Sequence, residues 1–382
     1  MSFSEKNTIG ADFLIGLEDL ANSADGKTIW PADSWDLVKQ AGALRWCVPR
    51  EYGGDGWTGS RLLEGYEQLA GACLTSCFIL SQRDGACRRI RDSGNAQLCQ
   101  ELLPPLARGE RFATVGLSHL TTSRQHVQPA LTAKIQGDTF ILNGAMPWVT
   151  GAAQADHLIT GAVCDDGRQV LLVLPRHAKG VQVGPPLELM ALAGSITAEV
   201  HCENVKVDRR WLLAGPIERV MAQGKGKGGA GGLETSCLAL GLVGAALRYL
   251  QEESAARPDL RPSVERLQKE FSELRNEMYR LAEAGANPQT SSAGRDSGGQ
   301  GAPGGRGSGR ADFPDPAIVL RGQANTLVLR ATQTALTAAK GAGFLKNHPA
   351  QRWARQAMFF LVWSCPRPAA EATLSFLINS SA

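Results

Sequence analysis

Across residues 13–90 the apolar positions recur at helical spacing, as in Phe13, Leu14, Leu17 and Leu20, then Trp35, Leu37, Val38 and Leu44. A helix pair is predicted over 62–86 and 96–106. From Phe112 to about Leu213 the period shortens to alternating runs at 131–135, 139–142, 170–174, 181–183 and 198–207, which predict strands of a small antiparallel barrel or sandwich. Helical spacing then returns. A helix opens near Leu233 with Leu238, Leu242, Val243 and Ala246 on its core side, and 264–282 carries Leu267, Phe271, Leu274, Met278 and Leu281 at three-four spacing. The last helices, 316–339 and 350–363, are hinged by Lys340-Gly341-Ala342-Gly343-Phe344. The pattern predicts an α+β chain: an N-terminal helical domain (1–111), a middle β-domain (112–213) and a C-terminal helical bundle (214–382).

Within the β-domain, Thr139, Phe140 and Ile141 precede Asn143-Gly144, a dipeptide that favours the positive φ angles of a tight hairpin turn. Next comes Met146-Pro147-Trp148-Val149-Thr150-Gly151. Pro147 cannot donate to a sheet ladder, so the chain is expected to leave regular pairing and hold Trp148 at a bend beside a hydroxyl. Two glycine-rich stretches interrupt the helical half. Segment 224–232 carries Lys225 and Lys227 but lacks the Gly-Lys-Ser/Thr ending of a phosphate loop, and it reads as a lead-in to the helix at Leu233. Segment 286–310 has no large apolar residues to offset the entropy of ordering and is expected to be a disordered insertion.

Composition narrows the class. At 382 residues and 43% hydrophobic content, the chain is long enough for two or three domains. A net charge of +3 without a basic stripe argues against a nucleic-acid partner. No uninterrupted apolar run is read as a membrane span, and the N-terminus lacks a basic-then-apolar leader pattern. The nine scattered cysteines suit reduced thiols, so a cytoplasmic location is expected. The six dispersed histidines form no metal-ligand spacing, and no metal is expected.

Several ordered motifs resemble the acyl-CoA dehydrogenase family. Asn143, Gly144, Trp148, Thr150, Ala153, Ala155 and Asp156 match its middle-domain run, with Pro147 departing from it. The run from Gly42 through Val48-Pro49 to Tyr52-Gly53-Gly54-Asp55-Gly56 is similar to its N-terminal pattern, and Leu103-Pro104 to Gly109-Glu110 to the segment before its β-domain. The resemblance implies that fold, an FAD cofactor, an acyl-thioester substrate and assembly as a homodimer or homotetramer. It implies flavin contacts from Leu117, Ser118, Trp148 and Thr150, and from Gly341 and Gly343, the last two commonly serving a neighbouring subunit. Lys340 and His119 depart from the family pattern.

Dehydrogenation of a thioester requires a carboxylate over the α carbon. Aligned on Gly343-Phe344, the family's usual catalytic Glu falls at Ser364, which cannot serve. A minority of the family draws its Glu from an earlier helix, in a Leu-Glu-Arg segment matched here by Leu233-Glu234-Thr235, so Glu234 is the candidate base. A carboxylate favoured by the helix dipole would look the same. A flavin-dependent monooxygenase using His119 and Ser364, and a catalytically silent binding protein, are the alternatives; the electron acceptor stays open.

Overall fold

The computed structural model describes residues 9–121, 128–222, 232–286 and 315–379. Apart from its first residue, the insertion predicted at 286–310 lies outside the described residues, as does all but the end of the 224–232 stretch. The N-terminal part comprises helices α1 (Ala11–Ala24), α2 (Ala32–Gln40), α3 (Gly59–Ala72), α4 (Leu74–Asp92) and α5 (Ala96–Arg108). The apolar run read as one helix over 62–86 divides at Cys73, whose backbone is extended. Asn95 caps α5, its side-chain oxygen accepting from the Leu98 amide at 3.1 Å, and Gly109 ends it at φ 72°. The Gly42–Gly56 motif makes a tight crossing: a Cβ on Gly54 would lie 1.9 Å from the Val48 carbonyl oxygen.

Next come β1 (Ala113–Gly116), the short helix α6 (Ser118–Thr121), and β2 (Leu131–Gln136), β3 (Thr139–Val149), β4 (His157–Cys164), β5 (Gln169–Pro175), β6 (Val181–Pro186), β7 (Ala198–Asp208) and β8 (Leu212–Ile217). They form one sheet in the order β6-β7-β3-β2-β4-β5-β8, with β1 added on β4. The β-domain is present, but its pairing is mixed rather than antiparallel throughout. β1 and β2 both run parallel to β4, one after the other along its length, which alternation within single strands does not reveal. β8 runs past residue 213 as an edge strand, where Pro216 is tolerated.

The hairpin turn is not at Asn143-Gly144. Gln136 faces Thr139, so Gly137-Asp138 forms the two-residue loop, with Gly137 at φ 57°. β3 continues through Asn143-Gly144 in register with β2, while its pairing with β7 shifts there. Gly144 is needed there for close approach: at φ 122°, a Cβ would fall 2.1 Å from the Ala130 carbonyl oxygen. The bend at Pro147 is present as a β-bulge. Met146 faces Val200 and Val149 faces Ala198, which leaves Pro147 and Trp148 opposite Glu199 alone.

The C-terminal part comprises α7 (Leu233–Ala256), α8 (Arg261–Ala286), α9 (Pro316–Ala339), α10 (Pro349–Phe359) and α11 (Arg367–Asn379). α7 is long and apolar enough to cross a membrane, a feature not anticipated from uninterrupted runs, but its side chains are largely buried within the chain. Gly241 lets α3 cross it closely; a Cβ there would lie 2.5 Å from the Glu67 carbonyl oxygen. α10 ends at Phe359, short of the predicted residue 363. The turns that follow are held by buried Arg321, which donates to the carbonyls of Phe360 (3.2 Å) and Trp363 (3.0 Å), and by Asn325, which donates to Phe360 (3.0 Å).

Candidate active site

A cavity of about 710 Å³ opens where the sheet meets both helical parts. Its wall is built from α4, the junction of β1 and α6, the β3 bulge, the loop 189–192, the start of α7 and residues 355–364. That volume lies in the range of small-molecule and cofactor sites, ~300–1,000 Å³.

Five of the seven residues singled out in the sequence meet here: Leu117, Ser118, Trp148, Thr150 and Glu234. Leu117 and Ser118 leave the end of β1, where Thr160 donates to the Gly116 carbonyl at 2.9 Å and fixes the strand end. The Ser118 hydroxyl is buried without a partner, a cost that a ligand hydrogen bond would remove. The bulge leaves Trp148 49% exposed, so its flat indole faces the cavity with nothing covering it. Thr150, two residues on, is buried; its hydroxyl lies 3.3 Å from that of Thr197, which lies 2.9 Å from that of Ser195. This chain of hydroxyls gives Thr150 a fixed orientation.

Glu234 stands in the first turn of α7, where the helix dipole favours a carboxylate. Its Oε1 is 3.1 Å from Nη1 of Arg88, although that N–H is not aligned for a hydrogen bond. Burial works against the charge of Arg88, but Glu234 together with Tyr66 holds its guanidinium above the ordinary arginine range. The far wall is aromatic. Phe359 and Trp363 stack with ring centres 4.9 Å apart, and Phe78 meets them edge-on at 5.0 and 5.1 Å. Val362 remains 75% exposed, whereas Phe360 is in the core.

Gly341 and Gly343 do not line the cavity; they lie in the turn after α9. Gly341 has open space around it. Lys340, at the position where the resemblance expects glycine, takes φ 53° and ψ −144°, a conformation that glycine adopts far more readily. His119 also lies outside the cavity lining. Its Nε2 is 2.8 Å from the Gly161 carbonyl, to which it donates, and burial lowers its pKa, so the ring is a neutral structural element of the sheet. Ser364 lines the cavity at φ 47°.

The sequence reading missed Arg88, Arg89, Arg355 and the loop around Leu192, whose φ is 61°. The arginines carried a signal: Arg88-Arg89 interrupts an otherwise mostly buried helix. The loop carried none, because an apolar residue with positive φ follows from the surrounding fold and not from local preference.

The fold is that of the acyl-CoA dehydrogenases. Residues 16–110 match the family described as "Acyl-CoA dehydrogenase, N-terminal domain". Over those residues the chain is similar to the acyl-CoA dehydrogenase family, and its fold is that of the family's solved structures. It is 27% identical over 221 residues to glutaryl-CoA dehydrogenase of Desulfococcus multivorans, covering 52% of this chain and 56% of that protein, so it spans about half the length of the curated relatives it matches. Butyryl-CoA dehydrogenase from Megasphaera elsdenii superposes with a TM-score of 0.77 at 20% identity over 99% of this chain and all of that one. A glutaryl-CoA dehydrogenase from Mycobacterium smegmatis, solved in complex with FADH2, gives 0.74 at 15% identity over 100% and 97% of the two chains. At these identities the structural matches carry the fold.

Proposed function

We propose that the chain binds FAD in this cavity and oxidises an acyl thioester across its α and β carbons. The observation that carries the reading is the meeting of Glu234 with Trp148, Thr150 and the unpartnered Ser118 hydroxyl in one cavity, from positions far apart in sequence. These groups fit a flavin: Trp148 offers a planar face, Leu117 an apolar contact, and Ser118 and Thr150 hydroxyls for its polar edge. When bound, the flavin supplies a two-electron acceptor for the hydride from the β carbon. Glu234 removes the α proton and becomes neutral, so that one proton and one hydride leave the substrate and a conjugated thioester remains. Arg88 stabilises the carboxylate before that transfer. The aromatic wall of Phe78, Phe359 and Trp363 accommodates the acyl chain and restricts water.

The competing monooxygenase reading rests on His119 and Ser364. Of these Ser364 alone lines the cavity, which favours the dehydrogenase. The test is to load the protein with FAD and mix it anaerobically with acyl-CoA thioesters of varied chain. Bleaching of the flavin absorption by at least one thioester is expected. Failure to take up FAD, or hydroxylation with reduced flavin and oxygen but no bleaching with any thioester, would overturn the proposal.

A further inference from the structure

Among the described residues, the cavity wall holds three arginines, Arg88, Arg89 and Arg355, against one carboxylate, Glu234. Arg355 is paired with Asp25, which lies outside the wall, and Arg88 is paired with Glu234. Arg89 is left over. Its Nη1 donates back along α4 to the Gly85 carbonyl at 2.8 Å, and the fork of a guanidinium keeps further N–H groups for a ligand. Among the described residues Arg89 donates to that backbone oxygen and to no carboxylate, Glu234 and Asp92 acting on it only through space, and a half-buried cation in that position is costly unless an anion completes it. From this we propose that Arg89, next to the Arg88–Glu234 pair, forms a subsite for an anionic oxygen group of the ligand, either a carboxylate on the acyl chain or a phosphate on its carrier.

The identity of the ligand rests on the thioester reading; the preference for an anion does not. Burial, with help from the neighbouring charge of Arg88, lowers the Arg89 pKa to about 10, which leaves it cationic at neutral pH. A carboxylate or phosphate is the group whose paired oxygens match a guanidinium fork.

Four probes separate the two sources: butyryl and succinyl thioesters, each on coenzyme A and on pantetheine. Binding is followed by tryptophan fluorescence, since Trp148 and Trp363 line the cavity. If the acyl carboxylate is the anion, the succinyl ester binds about tenfold or more tighter than the butyryl ester on both carriers. If the carrier phosphate is the anion, both coenzyme A esters exceed both pantetheine esters by a similar factor. Arg89→Met is expected to abolish the preference, and Arg89→Lys to restore part of it. A wild type without either preference, or an Arg89→Met protein of unchanged melting temperature that keeps it, overturns the proposal. A second arm needs no thioester: glutarate or pyrophosphate should raise the melting temperature of wild type but not of Arg89→Met. If thioesters fail to bind but this arm succeeds, the thioester reading falls and the anion subsite stands. If neither anion acts through Arg89, the subsite falls.

Discussion

Single residues decide where this chain keeps and where it departs from the pattern it resembles. Lys340 occupies a glycine-like backbone conformation, at φ 53° and ψ −144°, with a side chain that makes it unfavourable. Such conformations cost about 1–3 kcal/mol, so Lys340→Gly is expected to stabilise the protein by about 1 kcal/mol after the added freedom of the unfolded chain is deducted. An unchanged or lower midpoint in denaturant titration would show that Lys340 makes a compensating interaction. Behind the cavity wall, on the inner side of α4, a charge is fully buried. Arg83 donates to Asp84 at 2.6 Å and to the Leu106 carbonyl at 2.6 Å, and Tyr66 donates to the other Asp84 oxygen at 2.7 Å. Both charged side chains are within 1% of full burial. Asp84→Asn leaves the Arg83 charge unbalanced, and a loss of about 3–5 kcal/mol is expected. A loss below about 1 kcal/mol would mean that water or relaxation screens the pair.

At the scale of elements, the β3 strand shows what local pattern can and cannot reveal. Gly144→Ala is expected to cost about 2 kcal/mol or more, because the new Cβ would meet the Ala130 carbonyl oxygen at 2.1 Å in a backbone conformation that also disfavours a side chain. Retention of full stability would restore the turn reading of Asn143-Gly144. That reading failed because an Asn-Gly pair supplies the same positive φ to a hairpin turn and to an irregular strand, and only pairing with β2 and β7 tells them apart. The Pro147 bend was legible because a missing donor has one consequence in a sheet, whatever its partners. Helix α8 was legible from its spacing, and the place of Glu234 at the start of α7 from alignment. Leu192 was not, since its backbone conformation depends on elements distant in sequence, and the Arg88-Arg89 pair, though visible on its helix, does not say what it faces. His119 misled for the same reason: a polar residue near a motif says nothing of which way its ring turns.

At the scale of the whole molecule, Gly341 and Gly343 stand outside their own chain's cavity, while the resemblance assigns such glycines to a neighbouring subunit's cofactor. On α11, Leu374, Leu377 and Ile378 are 55%, 40% and 72% exposed at helical three-four spacing, an apolar stripe without cover among the described residues. Self-association is expected, and Leu374→Glu with Ile378→Glu should shift sedimentation toward monomer if this stripe is the contact. A monomer at micromolar concentration in the unaltered protein would contradict it. The apolar segment 358–363 gives Phe359 and Trp363 to the cavity wall and Phe360 to the core.

The central claim, that one cavity joins a flavin to a carboxylate base, is tested most directly by Glu234→Gln in the FAD-loaded protein. Gln keeps the shape of the side chain and cannot accept the α proton. With a thioester that bleaches the wild type anaerobically, the account predicts that FAD stays bound with unchanged affinity while the bleaching rate falls by about 10²-fold or more. Bleaching at the wild-type rate in Glu234→Gln would contradict it and place the base elsewhere in the cavity.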